Sequence, residues 1–82
     1  MNYTVTFDLW KDYEVGEDRM TIEAVDAADA IDTVKKRIIA IAIKRGAEAE
    51  ERREGITARI QGVKCRFDNF KAARNAEWLL LF

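Results

Sequence analysis

Residues 3 to 9 alternate without exception, with Tyr3, Val5, Phe7 and Leu9 apolar and Thr4, Thr6 and Asp8 polar between them. A period of two marks a strand with one face buried. The pattern runs on less regularly to Val15, where Gly16-Glu17-Asp18 predicts a turn. Met20, Ile22 and Ala24 then alternate with Thr21 and Glu23 as a second strand, so the first 24 residues predict a β-hairpin.

The period changes after Val25. Asp26 is placed to cap free backbone N–H groups, and Asp29 falls in the first turn, where the helix dipole favours an anion. Ala27, Ala30, Ile31, Val34, Ile38 and Ile41 share one stripe, and Lys44, Arg45 and Gly46 supply the cations and glycine of a helix end. The sequence therefore predicts a helix over 26–45, with the apolar run Ile38–Ile43 as its last two turns. At about 100° per residue, Ile39 and Ile43 lie roughly 80–120° from the core stripe, on the flank of Asp32 and Lys36. Neighbouring strands cover them, or a second chain does.

Residues 47 to 55, AEAEERREG, favour helix by propensity but carry no apolar stripe. They either prolong the helix or form a separate exposed turn. Ile56, Ala58 and Ile60 alternate, and after Gly62 the phase flips to Val63, Cys65 and Phe67. One long strand with a bulge fits the flip, as do two short strands turning at Gln61-Gly62. Asp68 or Asn69 is suited to cap a short helix over 69–75, and Ala76, Trp78, Leu80 and Phe82 alternate as a last strand, with helix the close rival there. The fold class expected is α+β: one domain over residues 1–82, a mainly antiparallel sheet of about four strands (β-β-α-β-(α)-β) and one long helix packed on one face.

Composition narrows function mainly by exclusion. The 82 residues include no His, and no Ser occurs in the sequence, which removes Ser–His and Cys–His nucleophile pairs and the imidazole acid–base. A single Cys offers neither an intramolecular disulfide nor a cysteine metal pair. Cys65 reads as a small core residue. The glycines stand singly, so no phosphate-cradling loop appears. No catalytic residue, metal ligand or cofactor is expected. No signal-peptide pattern opens the chain, and the longest apolar run is far short of the ~20 residues that span a bilayer, so the expected setting is cytoplasmic and away from membranes.

Charge is uneven along the chain. Residues 1–34 hold nine acids against two bases, and residues 35–82 hold six against twelve, which the net charge of −1 conceals. Local neutralisation is one outcome, with Asp8 or Glu23 facing Arg59, Lys64 or Arg66 across strands. Otherwise the acidic group Asp8, Asp12, Glu14, Glu17 and Asp18 meets a basic surface on a partner. Trp10, out of phase with Leu9 and its predecessors, falls on the Thr4–Thr6–Asp8 face and has the character of an interaction hot spot. On the basic side, Arg59, Lys64, Arg66, Lys71 and Arg74 with Phe67 and Phe70 among them resemble the equipment of single-strand nucleic-acid binders.

These features favour a small non-catalytic interaction module: an accessory factor or inhibitor, of the kind encoded by phage or mobile elements, that occupies a site on a larger protein or nucleic-acid-binding complex. Partner binding falls to Asp8, Trp10, Asp12, Glu14, Glu17 and Asp18, and self-association as a homodimer to Ile39 and Ile43. A nucleic-acid binder using 59–74 ranks second, because the sequence pI is near 5.4 and such binders are usually basic.

Overall fold

The computed structural model describes residues 1–12, 14–52 and 55–74. It holds strands β1 (Asn2–Lys11) and β2 (Glu14–Glu23), helix α1 (Ala27–Lys44), and strands β3 (Glu48–Arg52), β4 (Gly55–Ile60) and β5 (Val63–Arg74). The strands make one antiparallel sheet in the order β2-β1-β5-β4-β3, with the helix on one face. The α+β class is as expected, with five strands where about four were read.

Alternation builds the buried face. Tyr3, Val5 and Phe7 of β1, Ile22 of β2, Ile56 and Ala58 of β4, and Cys65 and Phe67 of β5 all point to the helix side. Ala30, Val34, Ile38 and Ala42 meet them, a line of (i, i+4) neighbours along α1. The core stripe thus runs through Ala42 rather than Ile41, which is 45% exposed. Phe7 stacks on Phe70 at 5.2 Å between ring centroids and tilts against Phe67 at 6.2 Å.

The helix ends follow from its punctuation. The Asp29 N–H donates to Asp26 Oδ1 at 2.8 Å, while Asp29 Oδ2 accepts from the Val25 N–H at 3.2 Å, a reciprocal cap. At the other end Gly46 adopts φ +74°, the left-handed conformation glycine reaches without a Cβ penalty. On the solvent side, Asp32 lies 2.9 Å from Lys36 and raises the ammonium pKa above its ordinary value, chiefly by accepting its hydrogen bond.

Three local expectations are corrected, and one open alternative is decided. The first hairpin turns after Lys11, which lies opposite Glu14, and Asp12 takes φ +56°; Gly16-Glu17-Asp18 is ordinary ladder inside β2. Asp tolerates the left-handed region a two-residue turn demands, so glycine was not needed. Residues 48–52 are an edge strand, neither helix nor exposed turn: pairing with β4 overrides helix propensity. Between Ile60 and Val63 the chain turns tightly at Gln61 (φ +51°) and Gly62 (φ +80°), the second of the two alternatives. Residues 69–74 continue β5 instead of forming a helix. The pairing with β1 slips between Thr6 and Asp8, where Asn69 takes φ +55°, so an extra residue separates Phe67 from Phe70 and gives them a helix-like spacing of three within a strand. The segment 76–82, read as a last strand, lies outside the described residues.

The helix crosses the sheet diagonally. It begins beside the end of β2, where Glu23 opposes Asn2, and ends next to β3, whose Glu48 opposes Arg59 near the far ends of β1 and β5. One corner of the helix-side face, formed by the Leu9–Lys11 end of β1 and the neighbouring stretch of β2, therefore lies beside α1 rather than under it. No described helix is long and apolar enough to cross a membrane.

Candidate interaction face

The second face of the sheet carries no covering element among the described residues. Its side chains follow from register. Thr4, Thr6, Asp8 and Trp10 of β1 lie on it, with Val15, Glu17, Arg19, Thr21 and Glu23 of β2 opposite. Strand β5 adds Lys64, Arg66, Asp68 and Lys71, and β4 adds Thr57 and Arg59.

Trp10 sits half-buried on this face, one residue from the end of β1, and is held on two sides. Its indole Nε1–H donates to Asp68 Oδ1 at 3.0 Å, and the Arg66 guanidinium lies over its ring, 4.5 Å from the centroid. Arg66 Nε in turn lies 3.0 Å from Asp68 Oδ2, which closes a three-membered cluster. Each contact fixes the others: the carboxylate accepts from the indole and pairs with the guanidinium, and the cation rests on the electron-rich ring. Beside it, Asn69 Nδ2–H donates to Asp8 Oδ2 at 2.8 Å from the bulge position.

The register also sorts charge. Asp8 lies directly opposite Glu17 on one side and Asp68 on the other, so three carboxylates cross β2, β1 and β5 in one row. The row stops at Gly55, opposite Asp68, where an added Cβ would collide with the carbonyl oxygen of Phe67. Arg59 opposes Lys64, a like-charged pair of the other sign, and has Glu48 on its far side. The cross-strand neutralisation of Asp8 or Glu23 by Arg59, Lys64 or Arg66 is not what the register gives: Asp8 and Glu23 face Glu17, Asp68 and Asn2, and Arg66 instead pairs within its own strand. Like charges directly opposite in a ladder are unfavourable, each by some fraction of about 1 kcal/mol.

The expected site residues separate accordingly. Asp8, Trp10 and Glu17 come together on the open face. Glu14 and Asp18 belong to the other side by register, since Glu14 opposes Lys11 and Asp18 opposes Phe7, and Asp12 lies at the turn. The acidic hairpin is thus two groups back to back rather than one row. Arg59, Lys64, Arg66 and Lys71 also share the open face, but Arg74 opposes Tyr3 on the helix side, and Phe67 and Phe70 point into the core. Ile39 packs against the core, whereas Ile43 is 60% exposed, so the helix flank reduces to one isoleucine. Cys65 is buried, its thiol 3.8 Å from the Val63 carbonyl oxygen.

Sequence reasoning missed Asp68, which it placed as a helix cap. Its signal was the alternation Lys64–Arg66–Asp68 behind Cys65 and Phe67, which puts it on the Trp10 face once β5 is one strand. No protein-family model matches the chain, and neither a curated protein nor a solved structure matches it.

Proposed function

We propose that the chain is a non-catalytic protein-binding module whose open sheet face, centred on Trp10, docks on a basic surface of a larger partner. One observation carries this: a Trp pinned by Arg66 and Asp68 stands beside the acidic row Glu17–Asp8–Asp68, in which Arg66 pairs with Asp68. Tryptophan and arginine are the residues most often found at the energetic centre of protein interfaces. A ring already held in place loses little conformational freedom on binding. Lysines or arginines of the partner would relieve the repulsion across the acidic row, and the same field would speed encounter. The non-catalytic part rests on the sequence, which offers no His and no Ser. Occupying a partner's basic site is how a small accessory factor or inhibitor acts.

Single-strand nucleic acid is served less well. Its bases need rings to stack on, and Phe67 and Phe70 face inward while Arg66 covers Trp10.

The test compares Trp10→Ala and the pair Asp8→Lys/Glu17→Lys with wild type in affinity capture from host extract and in binding kinetics with the recovered protein. Trp10→Ala is expected to weaken binding by roughly tenfold to a hundredfold, mainly through faster dissociation. The charge reversal slows association and flattens its dependence on salt. Folded variants that bind like wild type would refute the assignment, as would salt-sensitive retention of labelled single-stranded RNA with no protein recovered.

A further inference from the structure

We propose that the open face of the sheet pairs with the open face of a second copy of this chain, about a two-fold axis that crosses the strands between Thr6 and Asp8. The face assigned above to a larger partner thus meets itself when that partner is absent, and the two uses exclude one another. The helices lie on the outside of the pair and the two sheets on the inside.

The pattern of charge selects this arrangement. Across the strands, open-face residues fall into rows about 6.7 Å apart, two residues of strand. One row is Arg19–Thr6–Lys71, and the next is Glu17–Asp8–Asp68. A basic row and an acidic row therefore lie side by side in the middle of β1 and β2. The bulge at Asn69 is part of this: its extra residue turns Phe70 inward and sets Lys71 on the open face opposite Thr6. Arg19, Lys71 and Glu17 are exposed and form no ion pair among the described residues.

A face can meet itself about a two-fold axis in few ways. An axis along β1 sets Arg19 over Lys71 and Glu17 over Asp68, like on like. An axis across the strands on either charged row sets each residue of that row over its own copy, again like on like. Midway between the two rows, the same axis lays each row on the other. Arg19 then lies over Glu17 of the second copy and Lys71 over its Asp68, each contact occurring twice. Asp68 is already engaged by Trp10 and Arg66, so the two Arg19–Glu17 contacts carry most of the discrimination. Both charged rows flank the axis, where the crossing of packed sheets by about 30° displaces them least.

Shape agrees with charge. The row beyond the acids, Val15–Trp10–Arg66, lies over Thr21–Thr4–Ala73. Short side chains there leave room for the indole, and Val15, which is 54% exposed, gains cover. Strands β2, β1 and β5 span a rectangle of roughly 14 by 33 Å, so two copies bury on the order of 1,000 Å². Specific interfaces begin at about that size, and one so small is readily displaced by a larger partner.

Size-exclusion chromatography with light scattering on the full chain at about 100 μM tests the proposal, a concentration suited to a micromolar contact. Wild type is expected at twice the 9.4 kDa chain mass, falling toward single-chain mass as salt is raised. Arg19→Glu sets acid against acid and Glu17→Arg sets base against base. Each weakens the dimer at least about tenfold with circular dichroism unchanged. An equimolar mixture of the two regains the double mass, because every facing pair is then of opposite charge. Arg19→Glu/Glu17→Arg in one chain regains it alone. Ile43→Lys, on the helix flank, stays at double mass. Wild type at single-chain mass overturns the proposal, as does a mixture that fails to pair or an Ile43→Lys variant that splits the dimer. The measurement uses the chain alone, so its failure leaves docking on a larger partner standing, and failure of that docking leaves the dimer standing.

Discussion

One sheet presents two faces built by opposite rules. In the core of the helix side, several residues opposite one another are alike because both are apolar: Tyr3 with Ile22, Ile56 with Phe67, Ala58 with Cys65. On the open side, several opposite residues are alike because both bear the same charge: Asp8 with Glu17 and Asp68, Arg59 with Lys64. Likeness stabilises the first face, where burial of apolar area grows with each neighbour. It costs stability on the second, where Coulomb repulsion opposes it. A face that folds against its own electrostatics has a different purpose from one that folds the chain. That contrast is what motivates a partner for the open face.

Adjacent residues of β4 give the largest test of the contrast. Ile56 is fully buried against the helix side, and Thr57 points the other way. Ile56→Ala is expected to cost about 2–5 kcal/mol, transfer and cavity terms together. Thr57→Ala is expected to cost at most about 1 kcal/mol, the span of strand propensity. Denaturant midpoints at equal slope measure both. Similar losses at the two positions would erase the distinction between a folding face and a binding face.

A middle-sized effect is expected at the bulge, which keeps both faces in register. Asn69 holds φ +55° and donates to Asp8. Asn69→Ala places a Cβ with no local compensation in the left-handed region, at about 1–2 kcal/mol. Asn69→Gly keeps the backbone and loses the exposed hydrogen bond, so less than half of that loss is expected. If glycine loses as much as alanine, the hydrogen bond that both variants lack, rather than the backbone, holds the bulge, and the open face helps to set the fold.

Legibility in the sequence followed the same division. The β1 alternation from Tyr3 to Leu9, the second strand from Met20, and the helix between Asp26 and Gly46 are visible because burial and capping impose fixed periods. Trp10 was legible as an open-face residue for the same reason. The hairpin turn at Asp12, the polar edge strand Glu48–Arg52 and the run of β5 past Asp68 were not. In each, a long-range pairing decides the structure while local propensity suggests something else: glycine for the turn, helix for EAEER, a three-residue spacing for Phe67 and Phe70. The cluster of Trp10, Arg66 and Asp68 is invisible without the β1–β5 register, since Trp10 and Asp68 stand 58 positions apart.

The smallest expected effect tests whether the open face is organised or merely wet. Arg66 is half exposed, and a guanidinium over an indole at an exposed site is worth only about 0.5–1 kcal/mol. A double-mutant cycle of Trp10→Leu and Arg66→Met isolates that coupling, since desolvation and propensity changes peculiar to each residue cancel. Asp68 touches both partners, so part of the coupling passes through its carboxylate. Repeating the cycle in an Asp68→Asn background separates the two routes: the direct ring–cation part persists, and the carboxylate-mediated part falls away. The expectation is a coupling of about 0.5–1 kcal/mol in the first cycle and roughly half of it in the second. Additivity within error in the first cycle would mean that solvent already screens Arg66 from Trp10. The ring would then have to be ordered by its partner at the moment of contact, and Trp10→Ala would lose less affinity than a pinned hot spot should.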